Sequence, residues 1–191
     1  MTTVGVLALQ GGVREHVAAL RRLGADTREV RRPADLEGLS GLVVPGGEST
    51  TIAHLLVSSG LRGELDGAIK SGLPVFGTCA GLIVLSSAIL DGRDDQWSYG
   101  ALDVTVKRNG YGRQTASFET PIVVEGVGSV PGVFIRAPRI TAWGDVQVLA
   151  TYERGDGLHP VLVRQGQVWG CSFHPELTTD VTVHELFVNS L

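Results

Sequence analysis

At 191 residues the chain has the length of one well-buried domain, and two would be cramped. With 43% hydrophobic and 19% charged residues it has an ordinary globular composition, and a net charge of −4 gives no electrostatic reason to expect nucleic acid. Its apolar runs fall far short of the roughly 20 residues a membrane helix needs, and its start has no secretory character. A reducing cytoplasm is therefore expected, with Cys79 and Cys171 as free thiols.

Val4–Leu9 reads as a buried strand ending in the turn Gln10-Gly11-Gly12. Val13, Val17, Leu20 and Leu23 then recur at helical spacing, and Gly24 ends that helix. Arg14, Arg21, Arg22, Arg28, Arg31 and Arg32 are interleaved with Glu15, Asp26 and Glu29, the pattern of a solvated helical face. Thr27–Val30 and Leu42–Pro45 are further strands, the second closed by Gly46-Gly47. Ser49 or Thr50 is expected to cap the helix through Ile52, Leu55 and Leu56, which Gly60 ends. A helix over Leu61–Ser71 and a strand over Pro74–Gly77 follow. Alternation at this pitch implies βαβ units around a parallel sheet.

Beyond about residue 100 the pattern changes. Leu102–Lys107, Pro121–Val124, Val133–Ile135, Val146–Thr151, Leu158–Arg164 and Gln167–Phe173 read as short strands, several antiparallel. Asp91–Ser98 is the most polar surface loop, and Val181–Leu191 reads as a final helix capped by Thr179 or Asp180. One three-layered α/β domain over 1–191, with a mixed sheet, is expected.

Sites in such sheets gather at the carboxyl ends of strands. The segment Val75–Ile83 runs from an apolar strand through Gly77-Thr78-Cys79-Ala80-Gly81 into a helix. This resembles a nucleophile elbow with cysteine at its apex, beside backbone N–H groups and a helix start that favour a thiolate. A nucleophilic cysteine needs a base and a group that orients it. Among His16, His54, His159, His174 and His184, only His174 leaves an apolar strand directly into Pro175-Glu176. There the proline limits the backbone, and Glu176 can orient the imidazole. The N–H groups of Ala80 and of Gly46-Gly47 are candidates for an oxyanion hole. No Gly-Lys-Ser/Thr ending or Gly-x-Gly-x-x-Gly is present, and no cysteine–histidine spacing suits a metal. Cys171, in a strand interior, reads as a buried inert thiol.

Taken together, the elbow and Phe173-His174-Pro175-Glu176 resemble the class I glutamine amidotransferases, which carry a Cys-His-Glu triad on a flavodoxin-like fold. Pro45–Thr51, Phe134–Pro138 and Leu7–His16 narrow the resemblance to the glutaminase subunits of pyridoxal 5′-phosphate synthases. The resemblance implies a three-layer fold with a mixed, mainly parallel sheet and no cofactor or metal. It implies Cys79 as nucleophile, His174 as acid and base, and Glu176 as its support. L-Glutamine would be held by Gly47, Glu48, Ser49, Arg108, Ile135 and Arg136, with Gly46, Gly47 and Ala80 forming the oxyanion hole. It also implies a (β/α)8-barrel synthase subunit (PdxS) as partner, facing Gln10 and the first helix and receiving ammonia. Until that subunit docks, a rearrangement of the Gly46-Gly47 loop would be outstanding and activity weak. Asn109-Gly110-Tyr111-Gly112-Arg113-Gln114 departs from the more usual Asn-Ala-Phe-Gly-Arg-Gln, which bears on the pocket's shape. A glutaminase serving another synthase, a γ-glutamyl hydrolase, and a catalytically silent regulatory subunit are the alternatives on the same fold.

Overall fold

The apolar run at the amino terminus forms β1 (Thr3–Leu7), and α1 (Val13–Arg22) crosses over to β2 (Asp26–Val30), parallel to β1. These coordinates are a computed structural model, in which residues 2–111, 117–155 and 157–191 are described. β3 (Gly41–Val44), α2 (Ser49–Ser58), α3 (Leu61–Lys70), β4 (Val75–Thr78) and α4 (Ala80–Leu85) complete the first half. The second half holds β5 (Ser86–Ile89), β6 (Leu102–Lys107), β7 (Phe118–Val124), β8 (Gly128–Phe134) and β9 (Arg139–Trp143). It ends with β10 (Gln147–Arg154), β11 (Gly157–Gln165), β12 (Val168–Cys171) and α5 (Thr182–Val188).

Among the described residues, nine strands form one sheet in the order β2-β1-β3-β4-β12-β11-β10-β7-β8, and β5, β6 and β9 form a second. The large sheet is mixed. Its four pairings from β2 to β12 are parallel and the four from β12 to β8 antiparallel. The expected parallel character thus belongs to the half that carries βαβ crossovers, while short turns make the other half antiparallel. The strands β5 and β9 were not anticipated: Ser86–Ile89 follows α4 without a break, and neither has a clean alternation of apolar residues.

Alternate side chains of the parallel strands feed two cores. On one face Val4, Val6, Val43 and Phe76 meet Leu20 of α1 and Val183 and Phe187 of α5. On the other, Leu7, Leu42, Val44 and Val75 meet Ile52, Leu56, Leu61 and Leu65 of α2 and α3. Phe76, Phe134, Phe173 and Phe187 are fully buried, each such side chain being worth about 1.5–3 kcal/mol. The sheet is held rigidly from both sides.

Three local readings are corrected. The cap of α2 is Glu48, whose Oε2 accepts from the Thr51 N–H at 3.2 Å, rather than Ser49 or Thr50. At the carboxyl terminus the helix stops at Val188, and its cap position is Val181, with Asp180 Oδ1 accepting the Thr182 N–H at 2.8 Å. The arginine cluster is exposed but divided, with Arg14, Arg21 and Arg22 on α1 and Arg28, Arg31 and Arg32 on or beyond β2. Arg31 pairs there with Glu29 at 2.7 Å and Arg32 with Asp35 at 3.3 Å. No helix of the described residues is long and apolar enough to cross a membrane.

Candidate active site

The carboxyl ends of β3, β4 and β12 lie side by side, because β4 pairs with both neighbours in parallel. That register brings three sequence-distant loops to one edge. Cys79, directly after β4, has φ 49 and ψ −102, a left-handed conformation that costs a non-glycine residue about 1–3 kcal/mol. Gly81 makes the elbow possible, since a Cβ there would run into the Val44 carbonyl oxygen and push α4 off β3. Cys79 is 6% exposed, with Sγ 4.0 Å from the Ile135 carbonyl oxygen.

After β12 the chain passes through Phe173 to His174 and into the short turn Pro175–Leu177, with Glu176 inside it. His174 Nδ1 lies 2.7 Å from Glu176 Oε1, and both residues are buried. Burial pulls the imidazole down, but hydrogen bonds to Cys79 and to Glu176 outweigh it and raise His174 to about 10. Burial likewise opposes ionisation of Glu176, yet nearby imidazoles and the His174 hydrogen bond hold it below the usual carboxylate range. An imidazolium between the Cys79 sulfur and a carboxylate results. Cys171 is different: burial drives its thiol well upward, and its Sγ sits 3.3 Å from the Phe173 carbonyl oxygen.

The third loop, Gly46-Gly47, runs against both of these groups. A Cβ on Gly46 would strike the His174 ring and come within 3.3 Å of the Cys79 Cβ. The Gly46 N–H donates to Thr78 Oγ1 at 3.0 Å, and the Gly46 carbonyl accepts from the Gly12 N–H at 3.1 Å. Gly46 therefore contributes no free amide to the cavity in this conformation, whereas Gly47 and Ala80 line it. Gln10 is turned inward onto the same loop, its Oε1 accepting from the Glu48 N–H at 2.8 Å.

These groups bound a cavity of about 160 Å³ that is also lined by Glu48, Ser49, Arg108, Asn109, Ile135 and Arg136. Each substrate-holding residue expected from the sequence is at this cavity. Glu48 is already engaged, however: Oε1 lies 2.9 Å from Arg108 Nη2, and Oε2 takes the cap together with the Thr50 hydroxyl. Three non-glycine residues have positive φ among those described, Cys79, Asn109 and Arg136, and all three line this cavity. Backbone strain concentrated this way marks functional sites.

Gln96 was missed. It stands in the polar loop before β6, yet its Oε1 accepts from Arg108 Nη1 at 3.1 Å and its Nε2 donates to Ser49 Oγ at 2.9 Å. No local signal distinguishes it from its exposed neighbours Arg93, Asp94 and Asp95. Thr78 lies within the elbow motif, and nothing local marks its hydroxyl as the partner of the Gly46 amide and of His16. In the segment that departs from the usual pattern, Gly110 is fixed by packing, because a Cβ would collide with Arg139. Tyr111 is buried against Phe134 with ring centroids 5.3 Å apart. Gly112, Arg113 and Gln114 lie outside the described residues. Among the described residues, no group of three or more His, Cys, Asp and Glu side chains is placed to hold a metal ion.

A thiol on a strained elbow, backed by an imidazole–carboxylate pair at the carboxyl edge of an α/β sheet, is equipment for cysteine-dependent acyl transfer. The chain belongs to the SNO glutamine amidotransferase family, whose model matches residues 6–191. It is 56% identical over 188 residues to the pyridoxal 5′-phosphate synthase subunit PdxT of Parafrankia sp. (strain EAN1pec), covering 97% of this chain and 91% of that protein. The PdxT of Mycobacteroides abscessus is 53% identical, with 97% and 95% covered. A crystal structure of a glutamine amidotransferase superposes with a TM-score of 0.89 at 52% identity, covering 97% of each chain. PurLQS from Thermotoga maritima, at 16% identity and a TM-score of 0.72, covering 99% of this chain and 98% of that one, shares the fold.

Proposed function

We propose that this chain is the glutaminase subunit of a pyridoxal 5′-phosphate synthase, hydrolysing L-glutamine to L-glutamate and ammonia, with residues 1–191 acting as one domain. The observation that carries the reading is the Cys79–His174–Glu176 constellation at the cavity beneath the Gly46-Gly47 loop. The Cys79 sulfur attacks the side-chain amide carbon, and the oxyanion forms beside Ala80 and Gly47. His174 passes its proton to the leaving nitrogen as the C–N bond breaks, giving a γ-glutamyl thioester and ammonia. Water then attacks the thioester, His174 takes its proton, and the C–S bond breaks to release glutamate and free the Cys79 sulfur, with the proton back on His174. Glu176 holds the imidazole throughout.

Arg108 meets the substrate carboxylate in a charge-assisted pair, with Glu48 and Gln96 fixing the guanidinium and Arg136 at the cavity rim. The partner is a barrel-fold synthase subunit (PdxS) in a hetero-oligomer. Ammonia released into neutral water would be protonated and lose its nucleophilicity, so delivery to a docked subunit suits the chemistry. Gln10 faces that subunit on one side and holds the Glu48 amide on the other, so docking there bears on the Gly46-Gly47 loop. Two free cysteines accord with a reducing cytoplasm. The decisive test is ammonia release from glutamine with and without the synthase subunit. Stimulated release in the wild type and none in Cys79→Ala is expected, and full turnover by that variant would refute the nucleophile.

A further inference from the structure

Behind Glu176 lies a pair of histidines with no place in the mechanism above. His16, on α1, and His184, on α5, are both fully buried. His16 Nδ1 lies 2.9 Å from His184 Nε2, and His16 Nε2 lies 3.1 Å from Thr78 Oγ1 and 3.5 Å from Glu176 Oε2. Neither lines the cavity. We propose that His16 and His184 are positioning residues for the glutaminase reaction, a tautomer-locked pair that braces the second oxygen of Glu176 while His174 uses the first.

The lock follows from counting protons. Glu176 Oε2 is buried and has no hydrogen-bond partner, so the atom facing it decides whether the carboxylate is attracted or repelled. A bare His16 Nε2 would set a lone pair against an anion, whereas a protonated one sets an N–H there. Thr78 Oγ1, which already accepts the Gly46 N–H, can accept from a protonated His16 Nε2 or donate its own proton to a bare one, so the Glu176 contact is what decides. With its proton on Nε2, neutral His16 presents a bare Nδ1, which must accept from His184 Nε2–H. His184 then keeps a bare Nδ1, and that atom is buried without a hydrogen-bond partner. The opposite assignment would bury an unpaired N–H at His184 and a repulsive contact at Glu176, both costly away from water. Burial keeps both rings neutral, lowering His16 and taking His184 to about 3. Their consequence is geometric: Glu176 cannot swing without breaking the brace, so His174 keeps its orientation toward Cys79.

The inference rests on the glutaminase reading for its functional part, and the first measurement is independent of activity. Long-range ¹H–¹⁵N spectra of the full-length protein at pH 7, with His16 assigned through His16→Gln, should show a neutral ring protonated at Nε2. A ring protonated at Nδ1, or a cation, would overturn the lock even if turnover is normal. The second measurement compares His184→Gln, which retains a donor near the Nε2 position, with His184→Leu, which does not. With the synthase subunit present, His184→Leu should lower kcat about tenfold with KM within about twofold, as expected for partners that orient an imidazole or carboxylate, and His184→Gln should recover most of it. Equal losses in both variants, or a loss confined to KM, would reject the positioning role. Failure of the glutaminase reading itself would appear separately, as a wild-type protein without ammonia release.

Discussion

The Gly46 N–H donates to the Thr78 hydroxyl at 3.0 Å, tying the loop above Cys79 to the residue just before it. An amide has one proton, so while this bond stands that N–H cannot serve a substrate oxyanion. Thr78→Val keeps the shape of the side chain and removes the acceptor. The ratio of synthase-free to synthase-stimulated ammonia release should rise in this variant. The cost is about 1–3 kcal/mol of stability from the unsatisfied buried partners, read as a lower Tm. An unchanged activity ratio would mean that the Thr78 bond has no part in loop control.

Cys79 adopts φ 49, which glycine accepts freely and alanine does not. Both Cys79→Ala and Cys79→Gly should be inactive, but the glycine variant should be the more stable of the two by about 1 kcal/mol in denaturant titrations. In the native wild type, iodoacetamide should label Cys79 and spare Cys171, which is fully buried and whose thiol is held protonated. Mass spectrometry of native and unfolded samples distinguishes the two sites.

His174 is raised from the ordinary 6.5 to about 10, so the folded state binds its proton more tightly than the unfolded chain does. Its stabilising contribution is complete below pH 6.5 and is lost as pH rises through about 10. Glu176 is lowered, so its contribution is present above the ordinary 4.5 and is lost as pH falls through its folded value. In Cys79→Ala a principal partner of the imidazole is gone. Denaturant midpoints at pH 6, 8 and 10 should therefore show wild type losing more stability than the variant over that interval. A parallel pH profile would contradict the coupling of thiol and imidazole.

Gln96 joins Arg108 to Ser49 at the cavity rim. Gln96→Ala should raise KM for glutamine about fivefold, roughly the 1 kcal/mol of a part-exposed hydrogen bond, while kcat changes little. Steady-state kinetics with the synthase subunit in excess will show whether the loss falls on binding.

Glycines of identical chemistry should respond in opposite directions. Gly81→Ala places a methyl on the Val44 carbonyl and should cost 1–3 kcal/mol or about that, as overpacking does. Gly63, inside α3, has open space around its Cβ position, and Gly63→Ala should stabilise by about 0.5–1 kcal/mol through helix propensity. Paired thermal melts decide both.

What the sequence determined by itself was everything encoded within a few neighbouring residues. The elbow at 77–81, the His174-Pro175-Glu176 exit and the Gly46-Gly47 stop are each set by local backbone chemistry, as are most of the parallel strands and their crossovers. Its periodicities could not reveal β5 or β9, whose pairing with β6 rather than their own pattern makes them strands. Nor could it reveal that Glu48 is both helix cap and partner of Arg108. Only the tertiary structure decided which polar groups meet in the interior. Thr78 and His16 stand 62 residues apart in the chain, and His16 and His184 stand 168 apart. They are neighbours because α1 and α5 pack on the same face of the sheet. A buried polar group must find its partner wherever folding brings one, and nothing in the adjacent sequence records that choice.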